Sequence, residues 1–221
     1  MDAVALLRLL QLFDSQFPVG AFAHSGGLET YAADGAELPQ LVEVLENQIE
    51  LGWGRSDLAA ACLAWRAGVD TTSLRALDDL SARVHAFKVI PAARDTSVRL
   101  GCRTLALVRR LYPGAVSGLD VQPTHHAVVI GAVGRRLGLE LTPLLIAFAQ
   151  SLAAGTLAAA TRCMPVSPAQ AQTLLVQIHD AIASAVARAQ RDPEDHLFTC
   201  TPALDIRAYQ QAFLHTRLFQ S

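Results

Sequence analysis

The chain has 221 residues, 52% of them hydrophobic and 17% charged, with 18 basic against 20 acidic side chains and a formal charge of -2. That length supports one substantial core and requires no second domain. The near-neutral balance argues against nucleic acid or an anionic membrane as a partner, since both select for a basic surplus.

Four cysteines, Cys62, Cys102, Cys163 and Cys200, stand far apart and outside any zinc-site spacing, as expected of reduced thiols. The opening Met1-Asp2-Ala3-Val4 lacks the basic stretch of a secretory signal, so a cytoplasmic protein is expected.

In chain order, apolar residues at spacings of three and four predict a first helix over 3–14. A loop marked by proline and glycine follows, from Pro18 to Glu29, where Gly20, Gly26 and Gly27 allow backbone that a side chain would hinder. In it His24 reads either as a structural histidine bonded to backbone or as a transient metal or partner contact. Helices over 39–53, 56–67 and 73–87 come next, with Asp34-Gly35 and Ala67-Gly68 as breakers. Glu43, Glu46, Glu50 and the pair Asp78-Asp79 fall on helices whose other faces are apolar, and read as solvated surface. Lys88 is the only lysine, hence the sole candidate for an activated-lysine mechanism.

The helix over 92–111 carries Arg94, Arg99, Arg103 and Arg110 as a basic ridge suited to an acidic partner or to solvent. Gln122-Pro123 opens a helix over 123–137, on which His125 and His126 point about 100° apart, one expected buried and one exposed. Thr142-Pro143 opens a helix over 143–163. Its uncharged stretch from Pro143 to Thr161 is long enough to span a bilayer, yet its alanine content, Gln150 and the lack of an aromatic belt favour a core helix. Ser151, Gly155 and Ala159 share one face of it, for tight packing inside the bundle or for a dimer interface.

Ser167-Pro168 opens a helix over 167–190 with Leu174, Leu175, Ile178, Ile182, Ala185, Val186 and Ala189 as its buried stripe. A shorter helix over 203–214 leads to the chain end, where Phe213, Leu214, Leu218 and Phe219 stand among Arg207, His215 and Arg217. Apolar groups at a chain end need a docking surface: the bundle itself, or a partner that takes Phe219 as aromatic and Arg217 as charged anchor. No stretch alternates with a period of two. The chain, 1–221, is therefore expected to be all-α, a single-domain bundle of about eight to ten helices.

Motifs with a known catalytic mechanism are missing from the sequence: there is no G-x-x-x-x-G-K-[ST], no H-E-x-x-H and no G-x-S-x-G. A non-enzymatic protein is expected.

Residues 18–29 read PVGAFAHSGGLE after Leu9-Leu10-Gln11-Leu12. The arginine-rich helix from Arg94 to Arg103, HHAVVIGAVGRRLGL at 125–139, Ala160-Thr161-Arg162, Pro202-Ala203-Leu204-Asp205-Ile206 and Arg217-Leu218-Phe219 with Ser221 follow in order. Across nearly its whole length the chain resembles the urease accessory protein UreF family. It departs at Pro165-Val166-Ser167-Pro168, where the family usually continues proline-leucine-glycine-glutamine, and at Gln211-Ala212, where it often has histidine-glutamate.

The resemblance implies an all-helical, usually dimeric scaffold or regulator that joins UreD (UreH) and the GTPase UreG on apo-urease. No cofactor is then bound stably, and nickel and GTP are used by the complex through its partners. Expected partner contacts are Pro18, Gly20, Phe22, His24, Gly27, Glu29, Arg162, Arg217, Leu218 and Phe219, with Ser151, Gly155 and Ala159 as the candidate homodimer face. A nickel-binding metallochaperone, with His24 as its weak metal candidate, and a helical enzyme whose site is invisible in sequence are the alternatives.

Overall fold

A computed structural model of the chain describes residues 1–20, 24–67 and 73–220. Among them are eleven α-helices and no strand: α1 (Ala3–Leu12), α2 (Leu28–Ala33), α3 (Leu38–Leu51), α4 (Ser56–Ala67), α5 (Ser73–Phe87), α6 (Pro91–Leu111), α7 (His126–Arg136), α8 (Leu141–Cys163), α9 (Pro168–Gln177), α10 (His179–Arg191) and α11 (Pro202–Gln210), followed by a 3-10 turn at Gln211–Phe213. The class is the all-α one expected.

At the centre α4 and α7 lie against each other. Every residue from Ala127 to Gly134 is buried, as are Leu58 to Cys62, and the small side chains explain how two such helices touch over their length. A Cβ on Gly131 would collide with the Ala61 carbonyl oxygen, so the backbones meet where only glycine fits. On this pair α5 packs against α4, and α6 against α7, while α8 and α10 close the other side.

The long apolar α8 is buried along Leu144, Leu145, Phe148, Ala149, Ala153 and Leu157. Among the described residues it is the one helix long and apolar enough to cross a membrane, and here it packs against α10, α9 and α4. Phe148 is wholly buried, with its ring 6.1 Å from that of Phe13 and 5.5 Å from that of His126. Its burial stabilises the fold by roughly 2–3 kcal/mol.

Most bounds shift by one to four residues from the sequence reading, two helices differ in a way that has a local cause, and one was not expected. The helix expected over 167–190 bends at Ile178 (φ -92°, ψ 2°), yet its hydrogen bonds run on through Ile178 N to Leu174 O and Ile182 N to Ile178 O. The stripe Leu174, Leu175, Ile178 and Ile182 stays buried on both sides of the bend. The helix expected from 123 starts at His126, because Pro123 stands in a turn in which the Thr124 hydroxyl donates to Val121 O and His125 N to Pro123 O. Last, α2 is too short for a helical period to show in sequence.

Candidate partner interface

Gly27 begins α2 with φ of +99°, a left-handed conformation that costs other residues strain. A Cβ there would stand 2.9 Å from Ala208 N and 3.3 Å from Leu204 Cδ1, so α11 lies directly on this loop. Thr30 Oγ1 donates to Arg207 O (2.9 Å), and the Arg207 guanidinium pairs with Asp34 and sits 5.4 Å over the Tyr31 ring. The two ends of the chain are thus fastened together.

The centre of the fastening is Gln211. Its Oε1 accepts from Ser25 Oγ and from Gly27 N, both at 3.0 Å, and its Nε2 donates to Glu29 Oε2 at 3.0 Å. Glu29 is only 6% exposed, and its carboxylate also accepts from the backbone N–H groups of Leu218 and Phe219. A buried carboxylate without such donors would be strongly unfavourable, so the tail's backbone satisfies α2 as much as α2 holds the tail. Burial first, and the Glu29 charge second, push the nearby Cys163 thiol up to about 11, which keeps it protonated.

This arrangement places the expected partner residues unequally. Gly27, Glu29, Phe219 and Arg162 come together, with the Arg162 guanidinium 6.0 Å from the centre of the Phe219 ring. Phe219 is 6% exposed and buried on its own chain, so it is not presented to a partner, whereas Leu218 is 71% exposed and Arg217 is also exposed. Pro18 is exposed, and Gly20 (φ +81°) lies under the Arg103 guanidinium. Phe22 falls outside the described residues.

Beside the clamp, α11 has no buried residue. Ile206, Tyr209 and Phe213 recur on one side of it and are exposed, with the Tyr209 and Phe213 rings 5.5 Å apart. Apolar groups gathered this way are a signature of a protein-binding surface. Sequence reasoning had singled out Phe213 as needing a docking surface but missed Gln211, Ile206 and Tyr209. The only signal for Gln211 was its departure from the family's usual histidine.

Behind the loop lies a cavity of about 180 Å³, lined in part by His24, Asp57, Thr96, Ser97 and His126. Lys88 Nζ donates to both Asp57 oxygens (3.1 and 3.0 Å), so the candidate lysine is half of a largely buried ion pair. Burial opposes ionisation of Asp57, but Lys88 outweighs it and keeps the carboxyl below its usual range. His125 is wholly buried, with Nδ1 3.0 Å from Ser97 Oγ and Nε2 3.1 Å from His85 Nδ1. Of the pair of which one was expected exposed, neither is: His126 is half-buried against Phe148, because the helix that starts with it is buried all round. His24 Nδ1 lies 3.4 Å from Thr96 Oγ1. Burial above all lowers His24, His125 and His126 to about 4, with the nearby cations adding for His24 and His125. Among the described residues no three His, Cys, Asp or Glu side chains gather as metal ligands.

On α8 the small-residue face is divided. Ala159 is buried and the Ser151 hydroxyl donates to Phe148 O (2.8 Å), but a Cβ on Gly155 would meet nothing within 4 Å. The tight internal packing expected there does not reach Gly155.

Known proteins carry the same arrangement of sequence. A family model described as UreF matches residues 39–179. The chain is 30% identical over 223 aligned positions to the urease accessory protein UreF of Haemophilus influenzae (strain ATCC 51907 / DSM 11121 / KW20 / Rd), covering 96% of this chain and 94% of that protein. It is 31% identical to the protein of the same name from Actinobacillus pleuropneumoniae (96% and 97% covered) and 29% identical to that of Mesorhizobium japonicum (100% and 98% covered). A match of this extent, over a helical bundle whose order of elements the family motifs follow, identifies the chain as a member of the UreF family of urease accessory proteins.

Proposed function

We propose that this chain is a non-catalytic scaffold in urease maturation, which binds UreD (UreH) and the GTPase UreG on apo-urease and supports GTP-dependent nickel insertion. Nickel and GTP enter through the partners, and the chain itself holds no cofactor. The observation that carries this reading is the α11 face, where Ile206 and Tyr209, with Phe213 in the turn that follows, stand exposed on a helix fixed from beneath by Gln211 and Glu29. Such a rigidly backed, apolar surface binds with little ordering cost. Self-association through the open α8 face around Gly155 belongs to the same reading.

The test is co-expression with the cognate urease and accessory proteins. A Tyr209→Ser, Phe213→Ser variant should keep its melting temperature yet fail to co-purify with UreD and to activate urease. Full activation by that variant would sink the assignment of this face, and GTP hydrolysis by the purified chain alone would sink the non-catalytic reading.

A further inference from the structure

Among the described residues no helix is charged as one-sidedly as α6, which holds Arg94, Arg99, Arg103, Arg109 and Arg110 against the single carboxylate of Asp95. This surplus stands on a chain whose total charge is -2. Ser97, Gly101, Thr104, Leu105 and Val108 bury one side of the helix. At about 100° per residue, Arg99, Arg103 and Arg110 fall within about 40° of one another on the opposite side, and all three are exposed. The row rises about 6 Å from Arg99 to Arg103 and about 10 Å more to Arg110. Cys102 and Ala106 are exposed between them, so the strip has a low floor of small side chains.

Elsewhere arginines find a carboxylate: Arg83 takes Glu194, Arg109 takes Asp120 and Arg207 takes Asp34. Among the described residues Arg99, Arg103 and Arg110 form no ion pair. Arg99 donates to the Thr96 hydroxyl (3.4 Å) and Arg103 to the Val19 carbonyl (3.2 Å), both neutral acceptors. The three charges are therefore uncompensated, and Arg99 and Arg103, one turn apart, repel each other.

We propose that this row is the docking strip for an acidic helix of a partner protein, laid along α6 with carboxylates opposite Arg99, Arg103 and Arg110. Helices packed lengthwise approach closest over small side chains, which Cys102 and Ala106 provide. A partner helix that repeats the spacings of four and seven residues meets all three guanidinia. The planar fork of arginine takes a carboxylate bidentately, which selects register as well as sign. Each exposed pair contributes little by itself, so the strip governs encounter and orientation more than final affinity.

Other occupants fit less well. A nucleic acid that runs past the row meets exposed Asp95 at one end and Asp120, beside Arg109, near the other. An anionic membrane selects a cluster of about four to eight cations with apolar side chains among them, where this row has three with an alanine and a thiol between. A second copy offers Glu43 and Glu46 on α3, three residues apart, while Glu50 beyond them is taken by Arg55 and Arg188. The proposal stands on the α6 row and does not depend on the α11 face.

The experiment places a photoreactive benzoylphenylalanine at Ala106 of the full chain, and separately at Tyr209, in cells that express the cognate urease and accessory proteins. Irradiation at the first position should give a crosslink that mass spectrometry maps to a helix of another protein, with carboxylates four and seven residues apart on one face. Arg99→Glu combined with Arg110→Glu should then cut the yield at least about fivefold, and arginines in place of two mapped carboxylates should restore it. Arg103 stays in this variant because it holds the Val19 carbonyl. If the double reversal lowers the melting temperature, the neutral pair Arg99→Gln and Arg110→Gln should still cut the yield about twofold or more at the wild-type melting temperature. A crosslink from position 106 to nucleic acid, to lipid, to a second copy, to a segment without those carboxylates or to nothing overturns the proposal. So does a yield indifferent to both variants. The Tyr209 probe separates this from the α11 reading: a crosslink there with none at position 106 leaves that reading standing and removes this one.

Discussion

Glu29 Oε2 and Gln211 Nε2 lie 3.0 Å apart across 182 positions of sequence, and the bond between them ties the first turn of α2 to the end of α11. Because Gln211 Oε1 also holds Ser25 and Gly27, its loss strands a buried carboxylate, a hydroxyl and an N–H at once. Gln211→Ala is expected to lower the unfolding free energy by about 2–4 kcal/mol, since orphaned buried groups cost more than the bonds were worth. Urea titration reads this as a lower midpoint at unchanged slope. A wild-type midpoint would show that the clamp contributes nothing.

Two changes at the chain end should separate stability from binding. Removing residues 217–221 takes away the Phe219 ring and both N–H donors to Glu29, so a fall in melting temperature equivalent to roughly 2–4 kcal/mol is expected. Leu218→Ala removes an exposed side chain and should leave the melt alone while weakening capture of UreD. If the truncated chain melts like the full one, Phe219 does not belong to the core.

Glycine substitutions should diverge in the same way. Gly27→Val forces a branched side chain into φ +99° against the Ala208 backbone and should cost about 2–4 kcal/mol. At Gly155 the space is open, and Gly155→Leu should raise helix stability by roughly 0.5–1 kcal/mol. If self-association runs through this face, the same variant shifts light scattering toward monomer, and unchanged scattering argues for another interface.

Acid should destabilise the protein in a defined window. His24, His125 and His126 are lowered to about 4 in the fold from an ordinary 6.5. Between those values the unfolded chain binds more protons than the folded one, so stability falls as pH drops from about 6.5 to 4. Asp57, held below its usual range mainly by Lys88 against the cost of burial, adds a further loss as pH falls below 3.8. Denaturation midpoints at successive pH values check the sign, and His125→Gln should make the upper part of the decline shallower. A midpoint that rises from pH 6.5 to 5 would contradict the burial of these rings.

Where sequence sufficed and where it failed follows from the range of each interaction. Helices such as α4 and α8 are written in local spacing, and the bounds expected from Ser56 to Ala67 agree with the structure. The loop glycines were also legible, because Gly27 answers to a backbone angle that only its own neighbours need reveal. Gln211 was not, since an amide that bonds Ser25, Gly27 and Glu29 leaves no trace in the residues next to it. Most of the outer face of α11 was hidden for a related reason: exposed Ile206 and Tyr209 look like core residues until the fold shows which side they take.

The distance between Glu29 and Gln211 also sets an order in time. At roughly 5–20 residues per second, ribosomal synthesis leaves about 10–40 s between the appearance of the carboxylate and that of its amide partner. Until then α2 has no donors from the tail, and a chain stopped short of Gln211 holds a bundle whose α11 support is unfinished. The α11 face thus gains its backing from Gln211 only near the end of synthesis.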